Sequence, residues 1–387
     1  MRARLRDAAD FEDETIRTRA VKWALGSETR SRIESLLWFA ASLPSIADPG
    51  DHWDADPWLL GVVNGVVDLR TGVLRPGDPD DRLTMQTAVT FDPEAACPRW
   101  TQFIAEIFNE NVELVSFVQR AIGYSITGIT TDQCLFLLFG TGANGKGTLT
   151  NTLKWTLGDY AWNMPFATIE WRDRAAIPND LAALVNRRFV IASETNDGTR
   201  LNESRVKALT RCDPMTARFL HGEFFEFQPI GKYWLSVNHK PIVRDDSYGF
   251  WRRLRLIPFA QTFSVNQGLA DELRAEASGI LAWCVRGCLS WREQGLTPPA
   301  VVTDATREYE VDSDLLAAFL AEACELDTAS EIRASELFEH YRQWAERHGM
   351  TERERLSSTM FGRKLSERFG KLRDSGNRTI YRGLGRK

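Results

Sequence analysis

Nine residues constrain this chain more than any others: Gly140-Thr141-Gly142-Ala143-Asn144-Gly145-Lys146-Gly147-Thr148. They stand between an apolar run, Cys134 to Phe139, and a helical pattern from Thr148 to Leu157 that Gly158 ends. Glycines let a backbone curl until successive N–H groups face one anion. The helix that follows points its positive end at the same place. A lysine at this position reaches the outer phosphates of a nucleoside triphosphate. Strand, loop, lysine and helix in this order predict an ATP site built from residues 140–148. A hydroxyl normally follows the lysine directly and holds Mg²⁺. Here Gly147 intervenes, so Thr148 is the expected metal ligand one residue later.

The residues around the loop continue the theme. From 132 to 260, apolar strands alternate with helices, the pattern of a sheet layered with helices. The predicted strands are Cys134–Phe139, Arg188–Ala192, Tyr233–Val237 and Leu254–Pro258, and Asn202 is placed to cap a helix running to about Arg211. Glu194 follows the second strand, where a carboxylate faces the γ-phosphate, contributes to the metal site and activates water. Asn238 ends the third strand, a polar tip able to position the lytic water. Trp251-Arg252-Arg253 supplies guanidinium groups suited to phosphate, and one of the two arginines is the expected finger for a neighbouring subunit's site.

Elsewhere the chain is that of a soluble protein of two or three domains: 387 residues, 43% hydrophobic and 26% charged. Residues 1–46 read as helices. Within them Arg30 to Leu43 repeats apolar residues near a 3.6 period, and Pro44 stops the run. Asp48 to Pro57 is acidic and turn-rich. Between Trp58 and Phe91, Asn64-Gly65 and Arg70-Thr71-Gly72 separate short apolar runs and predict a small β unit. A helical stretch opens at Pro98 and runs through Ile122. Residues 267–295 are helical again, followed by a loop containing Pro298, Pro299 and Asp304. The six cysteines form no Cys-x-x-Cys pair; Cys284 and Cys288 read as core thiols. No apolar core follows the basic start, and no apolar run approaches the roughly 20 residues that span a bilayer. An intracellular, reduced setting is expected, with no membrane partner.

In order, the chain carries Gly140-x4-Gly145-Lys146, Ala192-Ser193-Glu194-Thr195, Lys207 through Asp213 to Arg218, Ser236-Val237-Asn238, and Trp251-Arg252-Arg253. This series resembles superfamily 3 helicases, specifically the helicase part of phage- and plasmid-borne primase-helicases, and the likeness covers roughly residues 50–300. It implies an AAA+-type motor that forms a hexameric ring, with ATP between subunits and single-stranded DNA in the channel. It also implies a DNA-gripping β-hairpin. Asp213 to Phe227 matches that hairpin, with Lys207, Arg218 and His221 as its DNA contacts. Too few residues precede the small β unit for a primase domain, so primer synthesis is not expected of this chain. A separate primase and other replication proteins are the expected partners.

The charge distribution points to a second DNA contact. The net charge is −5, yet the last 37 residues hold 11 basic and 4 acidic side chains. Ser335–His348 and Ser357–Phe369 read as helices. Lys371–Tyr381 reads as a wing turning at Ser375-Gly376-Asn377, so the end of the chain looks like a winged helix. Arg363, Lys364, Arg368 and Lys371 are its candidate phosphate contacts. The expected fold class is α/β: an AAA+-like phosphate-loop core with a small N-terminal α+β domain and a C-terminal winged-helix-like domain. The expected divisions are 1–98, 99–265, a helical lid and linker at 266–310, and 311–387. The expected function is an ATP- and Mg²⁺-dependent, ring-forming helicase of a phage, plasmid or integrated element, acting on single-stranded and forked DNA in the cytoplasm of a bacterial host. The rival is an origin-melting initiator without processive unwinding.

Overall fold

The computed structural model describes residues 2–44, 46–48, 50, 52–172, 179–194, 198–264, 266–327, 330–352, 355–373 and 376–387. Thr195 of the second motif and Ser375 of the expected wing turn lie outside these. The chain divides into two units, Met1–Ala55 and Asp56–Lys387. The first holds α1 (Arg2–Ala9), α2 (Glu14–Ser27) and α3 (Arg30–Ala40). Asp13 caps α2 by accepting from the Thr15 and Ile16 amides at 2.7 and 3.1 Å. The apolar repeat in α3 does form a helix, but none of its residues is buried: Leu36, Leu37, Trp38 and Phe39 are all more than 60% exposed.

The second unit opens with an antiparallel meander, β1 (Leu59–Val62), β2 (Gly65–Asp68) and β3 (Val73–Arg75). Val62 pairs with Gly65, so Val63 and Asn64 make the two-residue turn. Two helices follow, α4 (Pro98–Ile107) and α5 (Val112–Ser125). Next come β4 (Leu135–Phe139), α6 (Lys146–Leu157), β5 (Ala161–Asn163), α7 (Asn179–Ala182), β6 (Phe189–Ser193) and α8 (Glu203–Arg211). Asn202 caps α8 through the Arg205 amide at 3.0 Å. After β7 (Met215–Ala217) and β8 (Phe225–Phe227) come β9 (Lys232–Val237), α9 (Tyr248–Trp251) and β10 (Leu254–Pro258). Helices α10 (Leu269–Ala275), α11 (Ala277–Gln294) and α12 (Ala300–Asp312) follow. The stretch after Pro298-Pro299, expected as a loop, is therefore helix: proline needs no amide partner at a helix start, and Pro299 stands just ahead of the first turn.

Strands β10, β4, β9, β6 and β5 form one parallel sheet in that order. Alternation along each strand divides its side chains between two cores. Phe136, Leu138, Phe189, Ile191 and Trp234 face one core with α4, α5, α11 and the β1–β2 hairpin. Leu135, Leu137, Val190, Leu235 and Leu256 face the other, with Val206 of α8 and Tyr309 of α12. Helices α5 and α11 pack at glycine: a Cβ on Gly123 would stand 2.0 Å from the Cys288 amide nitrogen. Cys284 and Cys288 are buried in this contact, and burial pushes the Cys288 thiol up to about 12. Burial on both faces is what a parallel sheet requires, and it leaves the strand ends as the open chemistry-bearing surface.

The chain ends with α13 (Leu315–Ala323), β11 (Cys324–Glu325), β12 (Glu331–Arg333), α14 (Ala334–Arg347), α15 (Ser358–Arg368), β13 (Lys371–Arg373), β14 (Thr379–Arg382) and β15 (Gly385–Arg386). Strands β12, β14 and β13 make a three-stranded antiparallel sheet, and β11 pairs with β15. Phe319, Leu337, Tyr341, Phe361, Leu365 and Tyr381 form a separate core for this region. No helix among the described residues is long and apolar enough to cross a membrane.

Candidate functional site

The parallel sheet places the loop, the acid and the asparagine at one end. Residues 140–147 follow β4, Glu194 follows β6 and Asn238 follows β9, and these three strands are neighbours. The loop backbone is left-handed at Gly142 (φ 112°), Ala143 (φ 49°) and Gly145 (φ 84°), which curls it over the start of α6. A Cβ on Gly145 would meet Ile107 at 2.6 Å, so only glycine fits there. The Phe263 amide donates to the Ala143 carbonyl at 2.8 Å, and the Asn144 side chain is buried against Phe259. Thr141 is exposed and Gly147 has open space around it.

Lys146 is the hub. Its ammonium donates to the Gly140 carbonyl and, at 3.2 Å, to Asn238 Oδ1. Burial lowers its pKa to about 8, since desolvation penalises the charge. Glu194 donates its amide to the Ser236 carbonyl at 3.0 Å, extending the β6–β9 pairing by one step, and both carboxylate oxygens are buried. Its negative charge reaches Tyr309, a buried phenol whose hydroxyl donates to the Pro241 carbonyl; burial first, then Glu194, raises the Tyr309 pKa.

Hard oxygen donors suit Mg²⁺, which commonly takes one or two carboxylates together with substrate phosphate oxygens. Glu194 fits that pattern. Thr148, the expected ligand, lines a cavity together with Ala143 and Gly145 of the loop, and position 147 between it and Lys146 has no side chain. The extra residue turns the hydroxyl about 100° around the helix.

That cavity is the part of the site that sequence reasoning missed. Its volume is about 530 Å³, and it opens beside Ala143, Gly145 and Thr148. Phe103 and Ile107 of α4, Trp155 of α6, Leu269 of α10 and Phe263 of the loop before it give it apolar walls, and Arg99 and Arg274 stand among its polar lining. Glu276, at the junction of α10 and α11, holds it together by accepting from the Arg99 and Trp100 amides at 3.0 and 2.9 Å and so caps α4; Arg99 pairs with Glu272 at 2.9 Å. An apolar pocket with a few polar groups beside a phosphate loop has the size and character to take a base and ribose.

The two candidate finger residues separate cleanly. Arg253 is buried, donates to the Gly249 carbonyl and reaches Gln133 Oε1 at 3.3 Å; burial lowers its pKa. Arg252 is exposed and donates to the same Gln133 oxygen at 2.5 Å. Both precede β10, at the opposite end of the sheet from the loop that follows β4.

The expected DNA contacts are scattered. Strands β7 and β8 do form a hairpin, and Arg218 and His221 are exposed at its tip beside Phe219, Leu220 and Phe224. The Arg218 guanidinium lies over the Phe224 ring at 4.9 Å. Lys207 is instead paired with Asp245 at 2.5 Å and donates to Ser247. In α15, Arg363 is exposed, as is Lys371 just beyond it. Lys364 is buried against Asp246 at 2.6 Å, and Arg368 pairs with Asp314. All four were expected to contact phosphate; Asp246 of the loop after β9 takes Lys364, and Asp314 at the start of α13 takes Arg368.

Comparison with known proteins finds matches to three parts of the chain. Residues 1–109 match the family "D5 N terminal like", 138–253 a family of unknown function (DUF5906), and 311–380 "Poxvirus D5 protein-like". "Putative helicase L207/L206" of Acanthamoeba polyphaga mimivirus is 25% identical over 75% of this chain and 33% of its own length. "Putative primase C962R" of African swine fever virus is 29% identical over 52% of this chain and 22% of its own. The chain thus spans between about a fifth and a third of the length of these relatives. The apo A form of the NrS-1 C-terminal region overlays with a TM-score of 0.45 at 13% identity, covering 76% of this chain and 77% of that one. In its first and last segments the chain is similar to D5-type proteins, and relatives bearing helicase and primase names come from large DNA viruses.

Proposed function

We propose that this chain is an ATP-driven DNA helicase motor of the superfamily 3 type, serving replication of a viral or other mobile element. The observation that carries the reading is the Lys146–Asn238 contact at 3.2 Å, which joins the phosphate loop to the neighbouring strand end beside the Glu194 strand. In this reading the triphosphate lies over residues 140–148, with its base in the cavity walled by Phe103, Ile107 and Trp155. Lys146 turns from Asn238 to the outer phosphates, which frees Asn238 to orient the attacking water. Glu194 accepts the water's proton and provides the protein carboxylate for Mg²⁺, which when bound neutralises charge on the phosphate oxygens. Arg252 of an adjacent copy completes the site, so the working form is a ring, expected to be a hexamer. The β7–β8 hairpin tips, with Arg218 and His221, hold single-stranded DNA.

The order α13, β12, α14, α15, β13, β14 supports reading the C-terminal region as winged-helix-like. Its DNA-facing set is then Arg363 and Lys371, with Lys364 docking it through Asp246 and Arg368 bracing α15 against the start of α13. The relatives' names support the helicase reading. Strand displacement on a forked duplex tests it. The wild-type chain should release the labelled strand with ATP and Mg²⁺. Glu194→Gln should bind ATP and DNA yet hydrolyse at least about a hundredfold more slowly. ATP hydrolysis and duplex binding without displacement would favour the origin-melting initiator instead.

A further inference from the structure

We infer that Gln133 is the positioning residue for the trans-acting arginine. This rests on the proposed reading in which Arg252 completes a neighbour's site. Gln133 sits in the turn just before β4 and accepts from both arginines through one oxygen, Arg252 at 2.5 Å and Arg253 at 3.3 Å. Two guanidinium groups sharing an acceptor repel each other, so the amide decides which way each one points. Arg253 has a second acceptor, the Gly249 carbonyl, and is buried. Arg252 is exposed, and the Gln133 oxygen fixes the direction of its long side chain.

The turn is built to hold that oxygen still. Gln133 has φ 48°, a left-handed conformation that a side-chain-bearing residue adopts at a cost. Glycine would sit there more easily but has no side-chain amide to offer. One residue earlier, Asp132 accepts from the Trp291 indole at 2.9 Å, anchoring the turn to α11. The Gln133 amide donates to Thr130 at 3.2 Å. The Arg252 carbonyl in turn accepts from Arg255 at 2.7 Å, so the backbone on the arginine's side is also held. A preset finger loses little freedom when it engages phosphate, and a misplacement of about 1 Å would cost up to about a hundredfold in rate.

The positive φ supplies a safe variant: Gln133→Gly removes the acceptor while relaxing the backbone. Co-expressed, differently tagged chains give the test. R252A keeps its own loop but offers no arginine, and K146A offers an arginine but has no working loop. Mixed assemblies of the two should regain ATP hydrolysis that neither shows alone. Placing Q133G in the K146A chain should cut that regained rate by about ten- to a hundredfold, in kcat more than KM for ATP. Placing Q133G in the R252A chain, where the arginine is already gone, should leave the regained rate in place, and thermal melts should match throughout. No recovery in the first mixture overturns the trans-finger reading itself. Recovery that Q133G leaves intact in the K146A chain, or abolishes equally from either chain, overturns the role of Gln133.

Discussion

At the scale of single residues, Lys146 carries a consequence for pH. Burial lowers its folded pKa to about 8 from 10.5, so the free protein loses this charge in the mildly alkaline range. The cation is the form that binds phosphate. kcat/KM for ATP should therefore be level below pH 8 and fall by about tenfold per unit above it, which a pH profile of hydrolysis at low ATP measures. Stability runs the other way. Between pH 8 and 10.5 the unfolded chain binds more protons at this lysine than the folded one. The penalty for burying the charge is fully present below about 8 and is relieved as pH rises through that window. A flat profile to pH 10 would mean that bulk water reaches the ammonium. Lys146 was legible in the sequence because glycine, lysine and their spacing have few other uses. Phe103 and Trp155 were not, because an apolar side chain on an amphipathic helix looks the same whether it faces the core or an open cavity.

At the scale of elements, the parallel strands and the loop between β4 and α6 were legible because burial on both faces writes continuous apolar runs. Edge strand β5, only three residues long, left no such run, and α12 was hidden behind its two prolines. Helix α15 shows a different limit. Sequence displays its cations but not the acids that meet them, which come from the loop after β9 and from the start of α13. The Lys364–Asp246 pair is uneven: the lysine is 4% exposed, while the aspartate is partly open to solvent. Removing the acid alone strands a buried cation, whereas replacing the lysine by an apolar residue leaves nothing to satisfy. Asp246→Asn should therefore lower unfolding stability by about 1–2 kcal/mol, discounted for the acid's exposure, and Lys364→Met should be nearly neutral; urea titration of both variants compares them. Equal losses would indicate that the pair acts through lost packing and not through an uncompensated charge.

At the scale of the whole molecule, the sheet sets a distance that one chain cannot close. The loop follows the carboxyl ends of the strands, and Arg252 precedes their amino ends. Strands β4 and β10 are paired over five residues, which separates the two by about 16 Å of strand. An arginine side chain does not span that gap around a packed sheet, so a lone chain holds a phosphate loop and an arginine that never meet. If Arg252 supplies transition-state charge, hydrolysis belongs to the assembly and not to the monomer. The specific ATPase rate should then fall as the protein is diluted. It should recover when single-stranded DNA or a non-hydrolysable ATP analogue holds copies together. Sedimentation velocity at the same concentrations should show the rate following the assembled fraction. R252A should assemble as wild type does and yet lose the concentration-dependent rate, by about a thousandfold or more if the arginine is worth what such fingers are elsewhere. A rate per chain that stays constant down to the monomeric range would show that each loop works alone, and Arg252 would then be a surface residue held by Gln133 for some other purpose.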